Sequence, residues 1–163
     1  QVLTYYSDRL GGYARWYRQC LAESLGKQGQ GVLPVLSRGV NYQHSQLQLY
    51  LDGPKDKYFT AFEVQQGIEG PQILTQDPDM AFLNGRGLGD VSRAQQRGND
   101  AALVAAGCPL RRVMLSSMDT YTLGALLMQG MLEVMMGALA LRINAFDQPA
   151  IESGKKLTRQ YLG

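Results

Sequence analysis

What most restricts the fold of this chain is an alternation along its length: four short β-branched or aromatic runs, each followed by a stretch of helical character. Val2 to Tyr6 reads as the first strand. Ser7 can then cap a helix with an apolar stripe of Leu10, Tyr13, Tyr17, Leu21 and Leu25, ended by Gly26, although Gly11 and Gly12 weaken its first turns. A loop with Gly26, Gly29 and Gly31 leads to a strand around Val32 to Leu36. A short helix is expected from near Tyr42 to Asp52-Gly53-Pro54. Lys57 to Gln65 alternates and is rich in Tyr and Phe, which predicts a strand. Glu69 to Asp79, with two prolines, reads as an irregular surface excursion. Leu88 to Ala106 reads as a helix capped by Gly107, Arg112 to Ser116 as a buried strand, and Asp119 as the cap of a long helix ending at Leu141. A last helix, Asp147 to Leu162, tolerates Pro149 in its first turn. Such alternation predicts an α/β domain with a mainly parallel sheet covered by helices on both faces.

Composition narrows the function classes. The 163 residues, 45% of them hydrophobic and 18% charged, suit one domain with a proper core. Lys and Arg number 16 against 14 Asp and Glu, with no basic stripe interleaved with aromatics, so a nucleic-acid partner is not expected. One His and two distant cysteines, Cys20 and Cys108, make no zinc-type spacing, and a reduced pair is expected rather than a disulfide. The longest apolar stretch, Leu123 to Leu141, holds Gln129, Glu133 and three glycines, which predicts a core helix and not a membrane span. The N-terminus has neither the charged region nor the long apolar region of a signal peptide, and it begins without Met, as a processed or partial chain would.

Few side chains invite chemistry. His44 is the only imidazole, flanked by Gln43 and Gln46 at the entrance of a short helix. Imidazole titrates near neutrality, so proton transfer is its natural use, although a lone His is more often a surface or core residue. Glu23 falls in the last turn of the first helix, outside the apolar stripe and one turn from Gln19 and Cys20. The negative end of the helix dipole disfavours a carboxylate there, so a base with raised proton affinity competes with a solvated helix-end Glu near Lys27. Gln148, Glu152 and Lys155 are spaced i, i+4, i+7, which places amide, carboxylate and ammonium on one helix face, or simply makes a surface pair of Glu152 and Lys155. Gly85-Arg86-Gly87-Leu88-Gly89 lacks dinucleotide spacing and reads as a turn into a helix. Ser116 and Ser117 precede a helix N-terminus, where they can cradle an anion or merely cap.

Three of these segments, in order, resemble the bacterial glucose-6-phosphate isomerases. Trp16-Tyr17-Arg18-Gln19-Cys20-Leu21-Ala22-Glu23-Ser24-Leu25-Gly26-Lys27 is similar to the glutamate segment of that family. Gln43-His44-Ser45-Gln46 with Leu51-Asp52-Gly53-Pro54 is similar to its histidine segment, and Phe146-Asp147-Gln148-Pro149-Ala150-Ile151-Glu152-Ser153-Gly154-Lys155 to its C-terminal signature. Leu83 to Arg97 is similar between them, so the likeness covers essentially the whole chain; Ala150-Ile151 departs from a common Gly-Val.

The resemblance implies a three-layer αβα domain of the sugar-isomerase (SIS) type, the second of two in such enzymes, with residues 1–163 lacking the first, phosphate-binding domain. It implies a cytoplasmic aldose–ketose isomerase interconverting glucose 6-phosphate and fructose 6-phosphate through a cis-enediol. Glu23 would be the base, His44 and Lys155 would open and close the ring, and Gln148 would bind substrate. The partners implied are the sugar phosphate and a second copy of the chain, His44 being supplied across a homodimer. No metal or redox cofactor is implied. A broader phosphosugar isomerase that also takes mannose 6-phosphate, and a non-catalytic phosphosugar-binding module, are the alternatives.

Overall fold

A computed structural model describes residues 1–66 and 70–163. Four strands, β1 (Val2–Tyr5), β2 (Val35–Arg38), β3 (Phe59–Val64) and β4 (Leu110–Leu115), form one wholly parallel sheet in the order β2-β1-β3-β4. Helices α1 (Gly11–Leu25) and α5 (Thr120–Leu141) cover one face, and α2 (Asn41–Ser45), α3 (Leu47–Asp52) and α4 (Leu88–Ala105) the other. Helix α6 (Ile151–Tyr161) follows, with none of its residues buried. This is the three-layer αβα arrangement of the SIS type. Helices on both faces explain why all six residues of β3 are buried despite the alternating sequence.

The stripe of α1 behaves as its spacing requires: Leu10, Tyr13, Tyr17, Leu21 and Leu25 all enter one core with Leu3, Tyr5 and Phe62 from the sheet. The helix starts later than its sequence suggests, because Asp8–Leu10 form a 3-10 turn and Ser7 makes no capping hydrogen bond. Pro34, which has no N–H to give a ladder, delays β2 to Val35, whose N–H donates to the Gln1 carbonyl at 2.8 Å. The helix expected over residues 42–52 is broken at Gln46 into α2 and α3. The irregular excursion holds over 70–77 and runs into a further 3-10 segment, Pro78–Leu83; its first residue, Glu69, lies outside the described residues.

One burial expectation is corrected and one is narrowed. β4 is not a buried strand: it is the sheet edge, and Arg111, Arg112 and Met114 are exposed while Leu115 is buried. α5 is the expected core helix, but it enters the core along one narrow stripe. Only Leu126, Gly130, Val134 and Ala138, one residue per turn, are buried, whereas Met136 is 68% and Leu139 78% exposed. The helix is long and apolar enough to cross a membrane by length and composition alone. Its side chains tie it to the domain instead. Arg111 of β4 grips Glu133 through two bonds of 2.7 and 3.1 Å, and the Tyr17 hydroxyl of α1 donates to the same carboxylate. Burial raises the proton affinity of Glu133, but the bonds from Arg111, Tyr17 and Gln129 outweigh it and hold the carboxyl below its usual range.

Helices α1 and α5 approach closely at Gly130. A Cβ there would lie 3.0 Å from the Trp16 ring, 3.1 Å from Tyr17 and 3.2 Å from the Tyr13 hydroxyl. Gly130→Val is therefore expected to destabilise the domain by about 1–3 kcal/mol in urea unfolding through overpacking. Gly124→Ala, in the same helix with nothing within 4 Å of its Cβ position, should instead be neutral or stabilising because Ala is the better helix former.

Candidate active site

Glu23 sits in the last turn of α1, half-buried, with both carboxylate oxygens engaged. Oε1 accepts from Gln19 Nε2 at 3.0 Å, and Oε2 accepts from Gln148 Nε2 at 2.8 Å across 125 residues of sequence. Lys27 makes that long-range meeting possible. Its side chain is only 8% exposed, pairs with Asp147 at 2.9 Å and donates to the Asn144 carbonyl, so it fastens the turn carrying Gln148 to the end of α1. Gln30 adds a bond to the Leu141 carbonyl at 3.2 Å. Between the two segments lies an open cleft of about 360 Å³, lined by Ala22, Glu23, Lys27, Gln148, Pro149 and Ile151 among others. Burial first, then the Glu23 carboxylate, pushes the proton affinity of the Cys20 thiol up, so this neighbour is a neutral thiol and not a nucleophile.

The other residues singled out in the sequence are not gathered here. Lys155 pairs with Glu152 at 2.7 Å on α6, both side chains more than half exposed, and it does not line the cleft. The proposed common face of Gln148, Glu152 and Lys155 is corrected. The helix begins at Ile151, because Pro149 disfavours helical backbone at the residue before it, so Gln148 lies in the preceding turn and Pro149 outside the first helical turn. His44 is exposed on α2 and makes no side-chain hydrogen bond among the described residues.

Topology explains the separation. In a parallel sheet α1 runs back from the C-terminal edge of β1, which leaves Glu23 near the N-terminal edge, whereas α2 follows β2 and leaves His44 at the C-terminal edge. A four-residue strand alone separates those edges by about 13 Å.

Gln19 and Lys27, which the sequence shows only as neighbours of Glu23, are the side chains that hold Glu23 and the turn carrying Gln148. Gln19 lies four residues before Glu23, the spacing at which helical side chains meet, so that signal was present. No local signal joins Lys27 to Asp147. The weaker motifs resolve as caps and turns. Gly87 N–H donates to Asp90 at 3.2 Å at the start of α4, and Ser117 donates at 2.6 Å to Asp119, which accepts from the Thr122 N–H at 2.7 Å. Cys20 packs against the core on one sheet face and Cys108 belongs to the core on the other, which rules out a bond between them within the chain.

Fold and cleft together define an SIS-type α/β domain that presents a carboxylate held by two amides. No protein-family model matches the chain. Curated relatives match nearly all of it. The probable glucose-6-phosphate isomerase of Methanococcus maripaludis is 36% identical over 161 residues, covering 99% of this chain and 36% of its own. The glucose-6-phosphate isomerase of Methanocaldococcus jannaschii is 38% identical (96% and 39% covered), and that of Rubrobacter xylanophilus 34% (100% and 38%). Among solved structures, a hypothetical protein of Thermus thermophilus superposes with a TM-score of 0.91 at 32% identity, covering 99% of this chain and 41% of its own. A glucose-6-phosphate isomerase of Chlamydia trachomatis, at 19% identity and a TM-score of 0.76 (100% and 34% covered), shares the fold. Over nearly its whole length the chain is similar to proteins named glucose-6-phosphate isomerase. It spans 36–39% of the length of these curated relatives.

Proposed function

We propose that this chain is the C-terminal SIS domain of a glucose-6-phosphate isomerase and carries its proton-transfer groups. The observation that supports it most is the Glu23 carboxylate, fixed by Gln19 and Gln148 at the wall of the 360 Å³ cleft, in a chain whose relatives are named for that reaction. A carboxylate held by amide N–H groups keeps a defined direction and a free lone pair. Glu23 takes the C2 proton of the opened sugar and returns it at C1 through a cis-enediol, with Gln148 touching substrate beside it. His44 and Lys155 handle the ring oxygen. Because His44 lies at the opposite sheet edge from Glu23, His44 reaches the reaction from a second copy of the chain, so that each site is shared in a homodimer. Lys155 comes to the sugar by leaving Glu152. The site works in the cytoplasm and needs no metal or redox cofactor.

The phosphate-holding loop belongs to the stretch of the relatives that this chain does not span. Anchoring of the phosphate supplies the binding energy that orients the reacting carbons. The 163-residue chain by itself should therefore interconvert glucose and fructose 6-phosphates at no more than a trace rate, while the same chain joined to the remaining length of its relatives should turn over normally. Sedimentation should also show the isolated chain self-associating through the exposed Met and Leu side chains of α5. An ordinary enzymatic rate from the isolated chain would refute the division of labour. No activity at the relatives' length would refute the function.

A further inference from the structure

We infer that Tyr6 is a positioning residue for His44, acting through the five residues that lead into it; the inference rests on the reading of His44 given above. Tyr6 directly follows β1 and meets this segment at three points. Its ring occupies the space beside Gly39, where a Cβ would fall 2.5 Å from Tyr6 Cε1. The same ring meets Tyr42 edge-on, with centroids 6.0 Å apart and planes at 82°. Its hydroxyl donates to Gln43 Oε1 at 2.6 Å and accepts from Asn99 Nδ2 of α4 at 2.7 Å.

Gly39, Tyr42 and Gln43 are thus held from below by one side chain, itself 8% exposed and braced by α4. His44 comes next, on a helix of only five residues with no side-chain cap at its N-terminus. A helix that short has almost no stability of its own. An exposed imidazole that serves a second copy of the chain is only as well placed as the backbone beneath it. A loose supporting shell costs turnover even when every reacting group is present.

Tyr6→Phe separates this role from simple packing, because Phe keeps the ring against Gly39 and Tyr42 and removes only the hydroxyl. His44 is the only histidine, so its imidazole and amide signals in NMR are unambiguous. In Tyr6→Phe, the heteronuclear NOE of Gln43 and His44 should fall toward loop values while the amide spectrum distant from residues 39–46 and 99 stays in place. Tyr17→Phe, which removes a hydroxyl bonded to Glu133 on the other sheet face, should leave His44 unmoved.

Gln43→Ala removes the same bond from the other side and should reproduce the change. It decides the matter if Tyr6→Phe does not fold. At the relatives' full length, Tyr6→Phe should lower kcat on the cyclic sugar phosphate by about five- to tenfold, the worth of one buried hydrogen bond, with KM within about twofold. Unchanged His44 relaxation in a folded Tyr6→Phe or Gln43→Ala variant overturns the inference whatever the kinetics. Loosened His44 with unchanged kcat overturns its functional half. Full turnover by His44→Ala overturns instead the reading of His44 on which it rests.

Discussion

Glu23→Gln, placed in the protein at the full length of its relatives, should lower isomerisation by about a hundred- to ten-thousand-fold. The amide keeps the size of the side chain and one acceptor oxygen, so the cleft walls of Ala22, Lys27 and Gln148 stay in place. What disappears is the basic lone pair that the proposed proton transfer uses twice, once at each carbon. Gln148 Nε2, which donates to Glu23 Oε2 at 2.8 Å, can still find the amide carbonyl once the new side chain turns its oxygen toward it. Binding of the sugar phosphate should therefore change by no more than about tenfold, because most of its affinity is anchored at the phosphate. A fall in affinity as large as the fall in kcat would show that Glu23 binds and does not transfer protons.

His44→Ala should produce a different pattern, with turnover of the cyclic sugar falling by about a hundredfold or more and that of an already open chain falling much less. The difference follows from the task assigned to the imidazole, protonation of the ring oxygen before any C2 proton moves. The opposite placement of Glu23 and His44 on the sheet adds a sharper consequence. If one site needs Glu23 from one chain and His44 from another, a Glu23→Gln preparation mixed with a His44→Ala preparation under subunit exchange regains activity that neither has alone. A mixed dimer then contains one site with both native groups. Mixing without recovery, in dimers shown by mass to have exchanged, would place both residues in one subunit's site.

The elements were legible where local physics decides them. The α1 stripe from Leu10 to Leu25 and the Asp119 cap of α5 emerge as their spacing and chemistry require. Pro34 and Pro149 carried boundary information too, since each moves the next element later by a rule that concerns the backbone alone. Burial was less legible, because it depends on neighbours distant in sequence. Arg112 to Ser116 looks like any inner strand until the order β2-β1-β3-β4 puts β4 at an edge. The apolar composition of α5 does not reveal that a single stripe meets α1.

The candidate site divides in the same way. Glu23, His44, Gln148 and Lys155 stand out through residue type and resemblance, and Gln19 through its spacing to Glu23. That Gln148 touches Glu23 depends on the Lys27–Asp147 pair, a contact across 120 positions that no periodicity announces. That His44 stays away from both could have been deduced, since parallel strands with crossover helices fix which edge each helix end occupies.

Hydrogen exchange at C2 of glucose 6-phosphate in D2O, followed by NMR in the native and Glu23→Gln proteins at the relatives' full length, tests the central claim most directly. It reports the proton transfer itself, apart from ring opening and product release. The native protein should wash solvent deuterium into C2 during interconversion, because the protonated Glu23 carboxyl in an open cleft exchanges with D2O while the enediol is bound and then delivers deuterium to carbon, and the variant should lose that wash-in together with isomerisation. Deuterium entering C2 at the native rate in Glu23→Gln would mean that another group is the base and that the cleft at the end of α1 is not the site of the chemistry.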